Sequence, residues 1–329
     1  MGHFLHSVDI RGKSVLVRLD LDLPLEKGKF DTTRLSDGAQ TLQYLIDHDA
    51  KKITVIGHRG RPEGKKVSKL SLKPVEKLLL KTVKIPKTIE FRVLENLRYD
   101  KREESGSLPY AKELAKGHDM YVNDAFASSH RKHTSITFIP QILPTYFGLQ
   151  FEKELKGLAP LITNQKRPFI AILGGAKIET KLPIIKALQD KADVILVGGK
   201  LAVELIKHPI ENRKLIVGVL TKDGKDISKL TVEQFARFIS MGQTIMWNGP
   251  MGKFEDAASR SGTRAIGNLL AGTKGYTVVG GGDTEAALSI LKVRKGISFI
   301  SSGGGAMLDY VAYGTLPGIE AVQGKEKYD

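Results

Sequence analysis

The chain has 329 residues, 51 of them Lys or Arg against 36 Asp or Glu, for a formal net charge of +15 and a pI near 9.7. That length exceeds one typical core and suits two domains, and a hydrophobic share of 41% is enough to bury both. Cysteine is absent, which excludes a disulfide framework and a thiolate metal site. No apolar run approaches the ~20 residues that span a bilayer, and the start shows no signal-peptide pattern, so a cytoplasmic protein is expected. The positive excess invites a nucleic-acid reading. Against it, Lys and Arg are spread along the chain with no helix-turn-helix, RNA-recognition or zinc-finger signature, and the same excess fits an enzyme whose substrates are polyanions.

In chain order, Ser14-Val15-Leu16-Val17-Arg18 reads as a buried strand, and Leu42, Leu45 and Ile46 predict a helix over Ala39 to His48. Strands follow at Lys52 to Gly57 and at Met120-Tyr121-Val122. A polar helical stretch from Glu152 to Leu161, ending before Pro168, places a domain boundary near residues 150–167. Beyond it strands are predicted at Phe169 to Leu173, Val194 to Val197, Leu215 to Leu220, Thr244 to Trp247, Tyr276 to Val279 and Ile297 to Ile300. Helices are predicted at Ile184 to Gln189 and Ala286 to Leu291. Strand–helix alternation with continuous apolar strands predicts an α/β fold of parallel sheets covered on both faces, with ligands beyond the C-terminal ends of the strands.

The residues after those strand ends fall into two chemistries. In the first half they are arginines and histidines: Arg18-Leu19-Asp20-Leu21-Asp22-Leu23-Pro24, Thr33-Arg34, Gly57-His58-Arg59-Gly60-Arg61-Pro62, Glu95-Asn96-Leu97-Arg98 and Ser129-His130-Arg131. A single Arg reads as a surface ion pair. Several converging ones suggest a small polyanion, because guanidinium binds carboxylate and phosphate in a bidentate way. In the second half the strand ends carry glycine: Leu173-Gly174-Gly175-Ala176-Lys177, then Trp247-Asn248-Gly249-Pro250-Met251-Gly252, Gly280-Gly281-Gly282-Asp283-Thr284 and Ser302-Gly303-Gly304-Gly305-Ala306. Glycine there lets backbone approach a ligand closely, and the helix that follows offers free N–H groups to an anion. Lys177 and Lys181, four apart, would stand one turn above the other and suit oxyanions. Neither a P-loop nor a strand-borne Gly-x-Gly-x-x-Gly occurs.

Together with Val122-Asn123-Asp124-Ala125-Phe126-Ala127-Ser128-Ser129-His130-Arg131 and Lys253-Phe254-Glu255, these motifs stand in the order seen in the phosphoglycerate kinase family, which the chain resembles from about Val15 to Val322. The resemblance implies two doubly wound parallel-sheet (Rossmann-like) domains joined by a hinge helix. Residues 1–150 would bind 3-phosphoglycerate, 151–164 would form the interdomain helix, 165–314 would bind nucleotide, and 315–329 would pack back on the first domain. It implies a shortened glycolytic kinase that exchanges a phosphoryl group between 1,3-bisphosphoglycerate/ADP and 3-phosphoglycerate/ATP with Mg²⁺ by domain closure. A cytoplasmic monomer with no nucleic-acid or membrane partner goes with it. The alternatives are a non-catalytic nucleotide-binding homologue and a basic nucleic-acid binder.

On matching positions, Asp20, Asp22, Arg34, His58, Arg61, Arg98 and Arg131 would hold 3-phosphoglycerate. Gly174, Gly175, Ala176, Lys177, Lys181, Gly198, Gly199, Asn248, Pro250, Gly252, Glu255, Gly280, Gly281, Gly282, Asp283 and Thr284 would hold the nucleotide, with Glu255 at the ribose hydroxyls and Asp283 at Mg²⁺. Arg34, Lys177, Lys181, Gly282 and Gly305 would act on the migrating phosphoryl group. The nucleophile, a carboxylate, is ionised at neutral pH, so no general base is required and catalysis rests on alignment and charge cancellation. The chain departs from the family at four places. Asp22 replaces Asn, and Lys200 replaces the third glycine after Val197. About 20 residues from Ile206 to Asp226 stand where the family has several more elements, and Asp226-Ile227-Ser228 is the remnant of an adenine-framing motif. Asp22 should weaken substrate binding unless it is protonated or a nearby cation such as Arg18 or Arg131 compensates.

Overall fold

The computed structural model describes residues 3–23, 25–26, 29–175 and 178–324. The chain divides into two compact units, one of residues up to Glu154 together with those from Thr315, the other Leu155–Gly314. No helix among the described residues is long and apolar enough to cross a membrane.

The first unit contains β1 (Ser14–Leu19), the short antiparallel pair β2 (Leu25–Glu26) and β3 (Lys29–Phe30), β4 (Lys52–Ile56), β5 (Glu90–Val93), β6 (Met120–Asp124) and β7 (Thr145–Phe147). Its helices are α1 (Thr33–Asp47), α2 (Lys73–Thr82), α3 (Lys101–Ser105), α4 (Leu108–Ala115) and α5 (Leu149–Leu158). Five strands form a parallel sheet in the order β5-β4-β1-β6-β7. Alternate residues of each strand go to opposite faces. Val15, Val17, Ile53, Val55 and Val122 therefore pack with Leu42 and Leu45 of α1 and Val75 and Leu79 of α2. Leu16, Ile56 and Tyr121 pack on the other face with Ala111 and Leu114 of α4. The sheet is covered on both sides, and each buried Val, Leu or Ile side chain here stabilises the fold by roughly 1.5–3 kcal/mol.

The second unit holds β8 (Phe169–Leu173), β9 (Val194–Val197), β10 (Leu215–Val217), β11 (Thr244–Asn248), β12 (Tyr276–Gly280) and β13 (Phe299–Ser301). Its helices are α6 (Ile178–Leu188), α7 (Gly199–Lys207), α8 (Lys229–Met241), α9 (Ser261–Gly272), α10 (Gly282–Leu291) and α11 (Gly304–Tyr313). All six strands are parallel, in the order β10-β9-β8-β11-β12-β13. Ile170, Ile172, Ile245, Trp247 and Val279 meet Phe235 and Ile239 of α8, Ile266 and Leu270 of α9 and Leu288 of α10. On the opposite side α11 packs on α6.

Strand β13 starts at Phe299, two residues later than its apolar run suggests. The Ser298 N–H donates to Thr277 Oγ1 (2.9 Å) and the Thr277 N–H to Ser298 Oγ (3.1 Å), so hydroxyls replace the first ladder bonds at this sheet edge. Strand β10 likewise ends at Val217, before the predicted Leu220. Chain from Thr315 onward belongs to the first unit, where α12 (Pro317–Gln323) starts with the Gly318 N–H donating to the Ser129 carbonyl (2.9 Å).

In both sheets the strand order reverses once. Strand order runs outward from β1 to β4 and β5 on one side and from β6 to β7 on the other. It does the same from β8 and from β11. Crevices open at such reversals, beyond the carboxyl ends of the two central strands.

Candidate active site

In the first unit the residues beyond the reversal form a web of cations and carboxylates. Arg34, second residue of α1, reaches back with Nη1 to Asp20 Oδ2 at 3.3 Å and to the Asp22 carbonyl at 3.3 Å, both just past β1. Asp22 does not use Arg18 as its counter-charge. Its Oδ1 accepts the Gly60 N–H at 2.9 Å and its Oδ2 lies 3.8 Å from His58 Nε2, both after β4. Arg98, in the 3₁₀ turn after β5, donates from Nη1 to the Gly60 carbonyl (2.8 Å) and faces Glu104 through Nε (3.2 Å). The contacts thus tie Asp20, Asp22, Arg34, His58 and Arg98 together. Arg61 and Arg131 lie outside this web, exposed on the loops after β4 and β6.

Arg18 is buried beneath the web instead. It points to the α4 side of the sheet with Nη1 3.3 Å from Glu103 Oε1, both side chains fully buried. Glu103 and its partner Ser135 are site-supporting residues that sequence reasoning missed. Nothing in the charged run Lys101-Arg102-Glu103-Glu104 marks one glutamate as internal. Burial, and then the cations Arg18, Arg98 and Arg34, hold His58 well below its ordinary pKa, with His133 adding to the effect. Burial pushes His130 down to about 4 with Arg131 assisting, and His133 down to about 3 with Arg18 and Arg98 assisting.

Histidines held neutral in this way should weaken the first unit in acid. A histidine free in the unfolded chain titrates near 6.5, so below that pH the unfolded chain takes up a proton that folded His133 refuses until about 3. Above 6.5 the ring is neutral in both states and costs nothing; below it folding loses stability as pH falls toward 3, at most about 1.4 kcal/mol per pH unit. His133→Asn is expected to flatten the fall in melting temperature between pH 6.5 and 4; an unchanged slope would refute this assignment.

In the second unit the turns after β8 and β11, the two central strands, are zipped together. The Gly174 N–H donates to the Asn248 carbonyl and the Gly175 N–H to the Pro250 carbonyl, each at 2.9 Å. A Cβ on Gly174 would strike the Gly249 and Pro250 carbonyls, and Gly249 has φ +94°, so both positions require glycine. Lys181 of α6, its side chain buried, donates from Nζ to the Gly174 carbonyl and, at 3.4 Å, to the Asn248 carbonyl. Asn248 Nδ2 donates to the Gly280 carbonyl (2.7 Å), and Thr284 Oγ1 accepts the Gly249 N–H (2.8 Å). Gly281 and Gly304 touch closely enough that a side chain on Gly304 would strike Gly281, which brings the starts of α10 and α11 together. Neither helix start is capped by a side chain, as also at Gly198 before α7. Gly199 sits against Gly175 and Pro250.

Gly282, Asp283, Gly305 and Glu255 are exposed, the first three in the opening turns of α10 and α11. Gly252 lies against Asp226. Ala176 and Lys177 fall outside the described residues. Lys200 is exposed on α7. The Asp226-Ile227-Ser228 remnant serves the local fold. Asp226 Oδ2 accepts from Ser261 Oγ and the Gly262 N–H at the start of α9, both at 2.8 Å, and Ser228 caps α8 by accepting the Thr231 N–H (3.2 Å).

This geometry has close parallels among known proteins. The family model described as phosphoglycerate kinase matches residues 5–215 and 216–313. The phosphoglycerate kinase of Leptospira biflexa serovar Patoc is 34% identical over 391 residues, covering 98% of both chains. That of Roseiflexus sp. (strain RS-1) is 35% identical over 388 residues, covering 97% of this chain and 98% of its own. Both alignments run longer than the 329 residues here, so these relatives carry stretches without a counterpart. The break in the family match at Leu215/Ile216 lies inside the segment that reads as shortened. The solved phosphoglycerate kinase from Coxiella burnetii superposes with a TM-score of 0.83 at 28% identity, over 98% of this chain and 99% of that one. The one from Pyrococcus horikoshii OT3 gives 0.84 at 25%, over 98% of each. With the family's motifs, fold and near full-length similarity all present, this chain belongs to the phosphoglycerate kinase family.

Proposed function

We propose that the protein is an active phosphoglycerate kinase, moving a phosphoryl group reversibly between ATP and the carboxylate of 3-phosphoglycerate. The observation that carries the reading is the pairing of Arg34 with Asp20 in one unit and the seating of Lys181 behind the Gly174 turn in the other. A protein that merely bound nucleotide would need only the second. In this reading Asp20, Asp22, Arg34, His58, Arg61, Arg98 and Arg131 receive 3-phosphoglycerate. The glycine turns after β8, β9, β11 and β12 receive the nucleotide, together with Glu255 and Thr284.

In the ATP-consuming direction a carboxylate oxygen attacks the γ-phosphorus. The new O–P bond forms as the bond to the β,γ-bridging oxygen breaks, and ADP leaves with that electron pair. No proton moves, so the chain's task is to hold and neutralise. Lys181 and the uncapped N–H groups of α10 and α11 face negative charge on the phosphates, while Arg34 aligns the acceptor. Mg²⁺, bound with the nucleotide, would neutralise phosphate oxygens, and Asp283 is the residue that would hold it. One exposed carboxylate, with no cluster of three or more possible ligands among the described residues, fits an ion that takes its other ligands from phosphate and water. A cytoplasmic monomer completes the proposal.

The test is phosphorus NMR of the purified protein with MgATP and 3-phosphoglycerate. Loss of the γ-phosphate signal with growth of an acyl phosphate supports transfer; tight nucleotide binding with no transfer replaces it with a non-catalytic homologue. A second expectation concerns Asp22, which occupies the Gly60 N–H and stands before His58 as a negative charge in a site for anions. Asp22→Asn should lower KM for 3-phosphoglycerate by roughly three- to tenfold through removal of that repulsion. An unchanged KM would remove Asp22 from the site.

A further inference from the structure

His58 leaves β4 with its ring buried, and its two nitrogens face different neighbours. Nδ1 lies 3.3 Å from Arg18 Nη2, and Nε2 lies 3.8 Å from Asp22 Oδ2, in the loop after β1. A guanidinium has N–H donors and no acceptor, so toward Arg18 the ring can only accept. A neutral ring that accepts at Nδ1 carries its hydrogen on Nε2.

Arg18 is itself held. Its side chain is fully buried and Nη1 is committed to the equally buried Glu103 at 3.3 Å. Glu103 in turn accepts the Ser135 hydroxyl at 2.6 Å and the Ser135 N–H at 3.1 Å. The Tyr121 hydroxyl fastens that segment to β6 by donating to the Ser135 carbonyl at 2.6 Å. A continuous line of buried hydrogen bonds therefore runs from the sheet through Glu103 and Arg18 to His58.

We infer that Glu103 and Arg18 are positioning residues that lock His58 as its neutral Nε2–H tautomer, so that the ring presents a hydrogen-bond donor to an acidic substrate. The inference rests on the phosphoglycerate reading for the identity of that substrate. The other tautomer would turn a lone pair toward an anion. The imidazolium is opposed by burial and by the cations around the ring, Arg18 on β1, Arg98 after β5 and Arg34 on α1, with His133 beside them. The nearby carboxylates are Asp22 and Glu103. Asp22 faces Nε2, and Glu103 is spent on Arg18 and Ser135.

The test is a long-range proton–nitrogen spectrum of histidine-labelled protein at pH 7 without ligand. Expected for His58 are an unprotonated Nδ1 and a protonated Nε2; the Nδ1–H tautomer or an imidazolium overturns the inference. Arg18→Lys keeps a cation opposite Glu103 but loses the forked geometry that also reaches Nδ1. It should mix the tautomers and raise KM for 3-phosphoglycerate roughly tenfold, with a smaller change in kcat. A single wild-type tautomer in that variant overturns the inference. Should Arg18→Lys not fold, Ser135→Ala, which loosens Glu103 while keeping the ion pair, is expected to mix the tautomers too, and an unmixed spectrum is again contrary. Because the spectra contain no ligand, they decide the tautomer even if the protein proves unable to bind 3-phosphoglycerate, which would refute only the functional reading.

Discussion

Lys181→Ala is expected to lower kcat by roughly 10²–10³-fold, the usual cost of deleting one preorganised group that meets developing charge. The expectation follows from position. The Lys181 side chain is buried where the turns after β8 and β11 meet, and its Nζ is held by the Gly174 and Asn248 carbonyls. A cation fixed in poorly screened surroundings acts on a phosphoryl group far more strongly than one in water, and it needs no reorganisation when charge moves. Arg34→Ala, on the other unit, should act on the acceptor side and raise KM for 3-phosphoglycerate as well as lowering kcat. Unchanged far-ultraviolet dichroism in each variant would separate these losses from unfolding. A Lys181→Ala enzyme with near wild-type kcat would remove this lysine from the mechanism.

Glu103→Ala should destabilise the first unit by about 3–5 kcal/mol, the range for removing one partner of a buried ion pair. Arg18 would remain fully buried with its charge uncompensated, and its Nε already lacks a hydrogen-bond partner. The effect should be local. Trp247 is the only tryptophan, fully buried on β11 of the second unit, so its fluorescence reports that unit. In urea, the dichroism transition of the variant should gain an early phase while the Trp247 transition moves less. Replacing the pair together, as Arg18→Met with Glu103→Leu, should recover most of the loss, because well-packed apolar residues often match a buried ion pair. Equal destabilisation by the single and double variants would contradict this account.

The glycine-rich strand ends were legible because their chemistry is local. A turn that must bring Gly174 against the Pro250 carbonyl, or hold Gly249 at φ +94°, excludes other residues and so shows in the sequence. The central strands were legible for a similar reason. Strands β6, β8 and β11 are buried along their whole length, and each carries consecutive apolar residues, Met120–Val122, Phe169–Leu173 and Ile245–Trp247. The short edge elements of the first unit were not. In β5 (Glu90–Val93) exposed and half-buried residues alternate, β7 has three residues, and the β2–β3 pair has two per strand. None of these offers enough periodicity to stand out.

The same contrast holds in the site. Arg34, His58 and Arg98 could be named from motifs. Glu103 owes its role to a contact 85 residues away on β1, and Ser135 owes its own to Glu103. Partners brought together only by the tertiary fold leave no local pattern. The counter-charge of Asp22 went unseen for that reason too. A backbone N–H, Gly60, meets this carboxylate where an arginine was expected, and Arg18 turns to the other face of the sheet.

This shortened chain is expected to catalyse phosphoryl transfer with one cation from each unit, Lys181 and Arg34. The most direct measurement is a coupled spectrophotometric assay of the purified protein with MgATP and 3-phosphoglycerate, run beside Lys181→Ala and Arg34→Ala. Turnover in the wild type that collapses in both variants is the expected result. Absent turnover in folded wild-type protein, or turnover that survives both substitutions, would contradict the account.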